Sequence, residues 1–345
     1  MLSYLIVGSG YRSEYFARVA ADHPDLFRAL FLCRSSEKAA LKTKNAGVPA
    51  TISPAEGAAF RPDFVVVAVD RDHLSPVAEE WLERGFPVVV ETPVGATLSQ
   101  LERLTALAAQ GARIVCCEQY HRHPLLAAGF EAVAGGLIGE PRSAYLSLAH
   151  DYHAASLIRR MLLTQGEGYT LRGARSAAPV TETDSRYGAI LDGREAVETR
   201  DQVIVTFDSG KTAVYDFAST QYRSFIRSRH LTVRGSRGEW SDALIYHLDG
   251  DNTPRRALLM PEIPPKYRCL DTQGLRDLRK TWRNELFIDT LLDEYAIATI
   301  LLDMGDYLAG GPSPYPLEEA VEDARFWLLL SEAVKQPWQA VRRER

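Results

Sequence analysis

The feature that most constrains this chain is a short apolar run that ends in two glycines and leads directly into a helical pattern. The run from Ser3 to Val7 is rich in β-forming residues and predicts a buried strand. Gly8-Ser9-Gly10 follows, and apolar residues then recur at helical spacing. Strand, glycine turn and helix in this order are the context in which a G-x-G-x-x-G motif binds a dinucleotide.

Each glycine has a separate role in such a turn. Gly8 allows the sharp change of direction, and Gly10 lets the backbone approach a pyrophosphate at the helix N-terminus. Ser9, Tyr11 and Arg12 belong to the same turn and are further candidate nucleotide contacts. Ser13 replaces the third glycine. The alternative is a plain strand-to-helix turn in which the glycines serve geometry alone.

The end of the second predicted strand bears on the choice of nucleotide. An NAD site has an acidic residue there, about 20 residues past the glycines, that binds the ribose 2′-hydroxyl. This strand, from Ala29 to Leu32, is followed by Cys33 and Arg34 instead. Arg34 would clamp a 2′-phosphate, with Ser35 and Lys38 assisting. We therefore expect NADP, with NAD as the alternative; a solvated loop edge is the non-functional interpretation.

Composition excludes several classes of protein. A chain of 345 residues predicts two domains, and the net charge of −5, without a basic stripe, argues against a nucleic-acid partner. No apolar stretch reaches the roughly 18 residues of a membrane span, and no signal peptide is visible. The four cysteines lack a metal-ligand spacing. We interpret them as reduced thiols of a cytoplasmic protein and expect no metal site.

The pattern along the chain predicts two domains of different style. Up to residue 123, near-continuous apolar strands alternate with helices, which indicates a doubly wound parallel sheet with the Rossmann architecture. Ligands of such sheets bind beyond the carboxyl ends of the strands. The residues at these predicted ends are Gly8, Arg34, Asp70, Glu91 and Gln119. His121 and His123, just beyond the last end, are interpreted as solvated linker residues.

Residues 124–345 predict an α+β domain with an open, mainly antiparallel sheet. Partly alternating strands are predicted from Ser143 to Ala149, Gln202 to Phe207, Thr212 to Phe217 and His230 to Arg234, with a hairpin at Asp208-Ser209-Gly210-Lys211. Glu167 to Glu198 is polar and predicts an irregular, mobile loop. Two helices are predicted near the C-terminus, from Leu286 to Leu308 and from Leu317 to Val334.

Six segments follow one another in a fixed order: Gly8-Ser9-Gly10, Ala68-Val69-Asp70-Arg71-Asp72-His73, Val90-Glu91-Thr92-Pro93, Gly136-Leu137-Ile138-Gly139-Glu140, His153 with Leu157, and Gly235-Ser236-Arg237-Gly238-Glu239. Together they resemble the Gfo/Idh/MocA oxidoreductase family. The resemblance implies a Rossmann domain joined to an open-sheet α/β domain, an NAD(P) cofactor, sugar or polyol substrates and a homodimer formed through the open sheet. It also adds His73, Glu91 and Thr92 to the candidate cofactor contacts.

The chain departs from the family at residues that matter for chemistry. The family lysine, which hydrogen-bonds the substrate hydroxyl and helps its proton leave, is Thr92 here. Aspartates common four residues before and three residues after the substrate-domain histidine are Ala149 and Ser156. Threonine positions by hydrogen bonding but does not ionise near neutral pH.

The best substitute for the lysine is the cluster that runs from His150 to His153. Histidine carries a proton at working pH, so His153 is the candidate acid/base, with Tyr152 as a further donor. We expect both at or near a strand end; the structural alternative is that His153 caps the following helix. Tyr222, Arg223 and Arg227 are weaker candidates for the same site.

Two functions from different classes fit these observations. The first is an NAD(P)-dependent oxidoreductase that transfers a hydride between the cofactor and a small polar sugar, polyol, imine or carbonyl substrate, with an atypical acid/base set. The alternative is a dinucleotide-binding sensor or regulatory protein without turnover, which the replacement of the lysine by Thr92 favours.

Overall fold

A computed structural model describes residues 1–185, 188–272, 275–276 and 292–344. The chain divides into two compact units. The first comprises Met1–Pro124 and later segments that end at Arg325, and the second comprises Leu125–Pro261 and the residues from Phe326 onward. The division at residue 123 stays a prediction about domains. The sequence pattern does not predict that the chain returns to the first unit after residue 261.

The first unit contains a six-stranded sheet whose neighbouring strands are all parallel. In chain order the strands are β1 Leu2–Val7, β2 Phe27–Leu32, β3 Ala50–Thr51, β4 Phe64–Val67, β5 Val88–Val90 and β6 Ile114–Cys116. Their spatial order is β3-β2-β1-β4-β5-β6. Every residue of β4 and β5 is buried, as expected for strands covered on both faces. The predicted Rossmann sheet is confirmed.

The described helices are, in chain order, α1 Ser13–Asp22, α2 Ser36–Ala46, α3 Pro54–Ala59, α4 Leu74–Glu83, α5 Leu98–Ala109, α6 Pro124–Ala134, α7 Asp151–Leu162, α8 Asp293–Leu308 and α9 Leu317–Ala333. Side-chain hydroxyls cap the N-termini of several helices: the Ser35 hydroxyl accepts from the Lys38 N–H at α2, and the Thr97 hydroxyl accepts from the Gln100 N–H at α5. In the first unit α8 packs against α1, and Arg18 Nε donates to Glu294 across 2.5 Å.

The second unit contains a nine-stranded sheet in the order β16-β15-β14-β13-β7-β12-β11-β8-β17. Only β7 and β12 pair in parallel, and the other neighbours are antiparallel. Its strands are β7 Pro141–Ser147, β8 Tyr169–Thr181, β11 Glu195–Phe207, β12 Thr212–Ala218, β13 His230–Gly235, β14 Gly238–Ser241, β15 Leu244–Leu248, β16 Pro254–Leu258 and β17 Val341–Arg343. A small ribbon joins β9 Asp184–Ser185 to β10 Gly188–Ala189. The predicted mainly antiparallel sheet is confirmed.

The predicted loop from Glu167 to Glu198 is wrong. β8 and β11 are 13 residues long each and pair along their whole length. The strands run past the rest of the sheet, and residues 175–179 are all exposed. Because neither face is buried there, the sequence lacks the alternation that marks a half-buried strand.

Other predictions were correct. The hairpin at residues 208–211 joins β11 to β12, where Phe207 N donates to Lys211 O and Gly210 has a φ of +83°. The predicted helix at 317–334 corresponds to α9. The predicted helix at 286–308 is seen from Asp293 onward as α8, and residues 286–291 lie outside the described part of the chain. None of the helices described is both long and apolar enough to cross a membrane.

Candidate functional site

The strand register of the first unit aligns the ends of its strands. Val7 lies opposite Leu32 and Val67, and Val90 lies opposite Val67 and Cys116. The residues that follow these strands therefore share one edge of the sheet: Gly8, Cys33, Ala68, Glu91 and Cys117. This is the edge at which doubly wound sheets bind their ligands.

The glycine turn fits a dinucleotide. Gly8 has a φ of +136°, and a Cβ there would lie 2.2 Å from the Ala68 carbonyl oxygen, so no side chain can be placed. A Cβ on Gly10 would meet no atom of the described residues within 4 Å, which leaves room for a pyrophosphate against the backbone. The buried Ser13 hydroxyl donates to Gly10 O across 2.7 Å. The residue in the third glycine position thus braces the turn before α1.

Lys42 also contacts the glycine turn, although it is not among the residues predicted from the sequence. It is buried, with 5 % of its surface exposed, although it lies on the polar helix α2. Its Nζ donates to Gly10 O across 3.2 Å and pairs with the carboxylate of Glu14 on α1. No signal in the sequence distinguishes Lys42 from Lys38 and Lys44 on the same helix.

Further candidate nucleotide contacts lie at the carboxyl ends of β2 and β4, the two neighbours of β1. Arg34 and Lys38 are exposed, whereas Ser35 is half-buried and its Oγ caps α2. Asp70 and His73, beyond β4, are exposed and flank a single 3₁₀ turn. Ser9 is half-buried, and the 48 % exposed Tyr11 shares a hydrogen bond with Tyr15.

Arg12 links the glycine turn to the end of β5. Its Nε donates to Glu91 Oε1 across 2.6 Å, and its Nη1 donates to Asp293 Oδ2 across 2.9 Å. The second oxygen of Glu91 accepts from the backbone N–H of Thr92 at 3.0 Å and from its hydroxyl at 3.3 Å. Thr92, the residue in the position of the family lysine, therefore uses its proton to fix a buried carboxylate.

Asp293, the first residue of α8, organises the rest of this group and was missed by the sequence analysis. Its Oδ1 accepts from Gln119 Nε2 across 3.3 Å and lies 3.3 Å from His123 Nε2. Burial alone would raise the pKa of the Asp293 carboxyl, but the Arg12 charge, aided by His123, holds that pKa well below its usual range. His123 is 2 % exposed, so the interpretation of this residue as a solvated linker is wrong.

Several buried polar atoms in this group remain open, among them Nδ1 of the His123 ring. Arg12 Nη2 and Gln119 Oε1 are buried, and neither has a hydrogen-bond partner among the residues that the structure describes. Gln119 as a whole is 1 % exposed. Buried polar groups are normally satisfied, so open ones at a ligand-binding edge are candidate contacts for a ligand. We call Arg12, Glu91, Gln119, His123 and Asp293 the Asp293 cluster.

The second unit holds the other predicted residues at the start of α7. β7 ends at Ser147 and His150 is the N-cap of α7, so Tyr152 and His153 lie in the first turn of a helix and not on a strand end. His153 is 6 % and Tyr152 8 % exposed. Their ring centroids lie 4.6 Å apart, and the His150 ring is 5.2 Å from that of His153.

Tyr222 completes this aromatic group. His150 Nδ1 lies 2.7 Å from the Tyr222 hydroxyl, which also accepts from the His150 backbone N–H at 3.0 Å. Asp151 has a φ of +48°, an uncommon conformation for a residue other than glycine, and its N–H donates to the Tyr215 hydroxyl at 3.3 Å. Arg227 instead binds Glu198. The start of α7 is therefore a fixed group of titratable rings.

Comparison with known proteins is consistent with this geometry. Residues 2–119 match the model of an oxidoreductase family with an NAD-binding Rossmann fold. No curated relative matches the chain at a significant level. An NAD-binding oxidoreductase from Klebsiella pneumoniae is similar in structure, with a TM-score of 0.72, 15 % identity and coverage of 99 % of this chain and 98 % of the other.

Two further solved structures show the same fold. An oxidoreductase from Agrobacterium radiobacter, in complex with NAD⁺, L-tartaric acid and magnesium, aligns with a TM-score of 0.69 and 13 % identity over 99 % of this chain and 98 % of the other. Biliverdin reductase from Synechocystis sp. PCC 6803, in complex with biliverdin and NADP⁺, aligns with a TM-score of 0.63 and 16 % identity over 97 % of this chain and 99 % of the other. At these identities the likeness shows the fold alone.

Proposed function

We propose that the chain is an NAD(P)-dependent oxidoreductase acting on a small polar substrate, and that it is a member of the Gfo/Idh/MocA oxidoreductase family, whose model its residues 2–119 match. The substrate class is a sugar, a polyol, or an imine or carbonyl compound. When bound, the nicotinamide cofactor supplies or accepts the hydride. The protein holds both reactants and moves the proton.

The observation that carries this proposal is the contrast between the two glycines of the turn. Gly8 is forced to be glycine by its contact with Ala68, whereas none of the residues that the structure describes requires a glycine at Gly10. A glycine that packing does not need, at the ligand-binding edge, fits a backbone that a pyrophosphate approaches closely. A turn whose glycines served packing alone would not need open space beside Gly10.

We propose that NADP is preferred over NAD. Arg34 and Lys38 are exposed beyond β2, where a nucleotide 2′-phosphate would lie, and Arg34 is free to make a charge-assisted contact. The Ser35 hydroxyl oxygen accepts the Lys38 N–H, and its proton remains available to a phosphate. The position holds no carboxylate for a ribose 2′-hydroxyl.

We propose that His153 is the acid/base and that Tyr152 assists it as a donor. The close packing of these rings with His150 fixes their orientation, and an oriented imidazole can exchange a proton near neutral pH. The Tyr222 hydroxyl holds His150 Nδ1. Thr92 serves to position: its proton is donated to Glu91, and its oxygen remains an acceptor.

The direct test is a titration of the purified protein with NADPH, NADP⁺, NADH and NAD⁺, followed by a screen of carbonyl and alcohol substrates. We expect micromolar or tighter binding of NADPH and a change in the absorbance of the reduced nicotinamide with at least one substrate. Absence of binding to all four nucleotides would overturn the proposal.

A second function is favoured by Thr92 alone. A family member that binds a nucleotide without turnover would act as a sensor or regulator, and the absence of an ionisable group at position 92 suits that role. Tight nucleotide binding without oxidation or reduction by any substrate of the screen would support this function over the first.

We also propose that the protein forms a homodimer through the open face of the second unit's sheet. Alternate residues of two neighbouring strands are exposed, among them Arg172 on β8 and Gln202 and Ile204 on β11, and an exposed sheet face suits a symmetric interface. Light scattering at micromolar concentration should give about twice the monomer mass; a monomer would contradict the proposal.

A further inference from the structure

Besides the His123 ring, the Asp293 cluster presents one donor, on Arg12, and one acceptor, on Gln119, that are buried and open among the residues that the structure describes. Arg12 binds Asp293 Oδ2 through Nη1 and leaves Nη2 unused, while Gln119 binds Asp293 Oδ1 through Nε2 and leaves Oε1 unused. The two side chains that carry the open atoms are thus each bound to one oxygen of the same Asp293 carboxylate. Water-excluded polar groups of this kind are costly unless a partner satisfies them.

The chemical identity of the open Gln119 atom follows from the state of Asp293. The pKa of that carboxyl is depressed, so the group is an ionised, acceptor-only carboxylate near neutral pH. It can bind only the NH₂ end of the Gln119 amide. The oxygen of Gln119 must therefore be the end that is left open, as an acceptor.

The place of the cluster in the sheet indicates which part of a dinucleotide lies there. In the strand order, β2 lies on one side of β1 while β4, β5 and β6 lie on the other. The adenosine end belongs beyond β2, and the pyrophosphate belongs at the glycine turn. Glu91 and Gln119 follow β5 and β6, on the opposite side of the turn, where the nicotinamide half belongs.

We propose that Arg12 Nη2 and Gln119 Oε1 together bind the carboxamide of the nicotinamide ring, with Asp293 as the positioning residue. This inference rests on the proposed function. A primary amide carries a carbonyl acceptor and an NH₂ donor, which complement the open donor of Arg12 and the open acceptor of Gln119. Asp293 sets both partners because it fixes the Gln119 amide orientation and immobilises the guanidinium.

The test compares ligands that differ only at this group, by calorimetry. The first is NADP⁺ or NAD⁺, whichever the wild-type chain binds more tightly. The second is its 3-acetylpyridine analogue, which keeps the carbonyl but lacks the NH₂ donor. The third is the matching ADP-ribose, with or without the 2′-phosphate, which lacks the whole ring. The variants are Gln119→Leu, Arg12→Met and Asp293→Asn, with the exposed Gln110→Leu as the matched control.

We expect the wild type and Gln110→Leu to bind the carboxamide dinucleotide about tenfold more tightly than the acetyl analogue. Gln119→Leu should bind the two equally, because it lacks the acceptor for the NH₂ group. Asp293→Asn should also lose this preference, since its neutral amide no longer dictates which end of Gln119 is open. Arg12→Met should weaken both dinucleotides by about tenfold or more and keep the affinity for ADP-ribose.

Three results would overturn the inference. One is an unchanged preference for the carboxamide in Gln119→Leu, and another is an equal loss of affinity for the dinucleotides and for ADP-ribose in Arg12→Met. The third is a wild type that binds all three ligands equally. The proposed function fails separately, if the wild type binds none of the three. Circular dichroism confirms that each variant is folded, and the conservative Asp293→Asn exchange tests the cluster even if Arg12→Met does not fold.

Discussion

The Arg12 guanidinium and the Glu91 carboxylate join the glycine turn to the end of β5, with 2.6 Å between Nε and Oε1. Glu91 is buried and its other oxygen is held by Thr92. The sequence predicts Arg12 only as a nucleotide contact, and the structure shows it as a link within the first unit. If Arg12 also contacts the nucleotide, it couples the stability of the turn to ligand binding.

The two glycines of the turn should respond differently to the same substitution. Gly8→Ala should lower the free energy of unfolding by about 2–4 kcal/mol, because the new methyl group would meet the Ala68 carbonyl oxygen at 2.2 Å and the φ of +136° is unfavourable for alanine. Gly10→Ala should fold normally but bind the dinucleotide at least tenfold more weakly, since its methyl group would occupy the space left for the pyrophosphate. Urea denaturation and calorimetry measure the two effects; equal nucleotide affinity of Gly10→Ala and wild type would contradict the assignment.

Arg34 should discriminate between the two nucleotides. Arg34→Ala should weaken NADPH binding by about 1–3 kcal/mol through the loss of a charge-assisted contact, and leave NADH binding unchanged. Lys44→Ala, which removes an exposed charge from the last turn of α2, is the matched control. Calorimetry with both nucleotides gives the comparison, and a parallel loss of NADH affinity would count against a 2′-phosphate contact.

His153 should matter for turnover and not for nucleotide binding. His153→Ala should lower kcat by the ~10²–10⁴ typical of a lost acid/base, once a substrate is known, and keep the NADPH affinity of the wild type. Thr92→Ala should cost less, and Thr92→Lys should increase activity towards polyols. Steady-state kinetics beside a binding titration test the assignment. Full turnover by His153→Ala would show that another group moves the proton.

Asp216 should make the stability of the protein depend on acidity. Burial would raise the pKa of its carboxyl, but the two hydrogen bonds from Arg200 and one from Tyr145 at 3.1 Å lower it. A carboxyl whose pKa is lower in the folded than in the unfolded chain stabilises the fold above the unfolded value of about 3.9, and this contribution is lost as the pH falls further.

Asp216→Asn should therefore be less stable than the wild type by about 1–3 kcal/mol near neutral pH, and the difference should shrink below about pH 4. Urea denaturation over that range measures it, with the exposed Asp251→Asn as the control. A difference that stays constant with pH would show that the effect is steric and not electrostatic.

The sequence predicted those parts of the fold whose signal lies within a few neighbouring residues. The apolar run at Phe64–Val67, the glycine turn after β1 and the hairpin at residues 208–211 each carry their own signal over a few residues. The alignment of strand ends followed from the parallel topology, so the edge that carries Gly8, Glu91 and Gln119 was predictable before the structure.

The parts that were missed depend on partners far along the chain. Asp293 is an ordinary acidic residue at the start of a helix until Arg12 and Gln119 meet it. Lys42 resembles any lysine on a polar helix, and only its contact with Gly10 reveals its role. The sequence did not predict the pairing of β8 and β11, because the outer part of β8 is exposed on both faces and therefore lacks the apolar–polar alternation of a half-buried strand.

The 281 positions between Arg12 and Asp293 set an order of events during synthesis. At the roughly 5–20 residues per second of translation, Arg12 leaves the ribosome about 15–60 s before its second carboxylate partner. Glu91 is available much earlier, so the nascent first unit can fold with the Arg12 guanidinium bound to one of its two carboxylate partners. A nascent chain halted before residue 293 would hold the glycine turn but lack the group that orients Gln119. If Gln119 binds the carboxamide as proposed, nucleotide captured at that stage would be released more readily than from the finished protein.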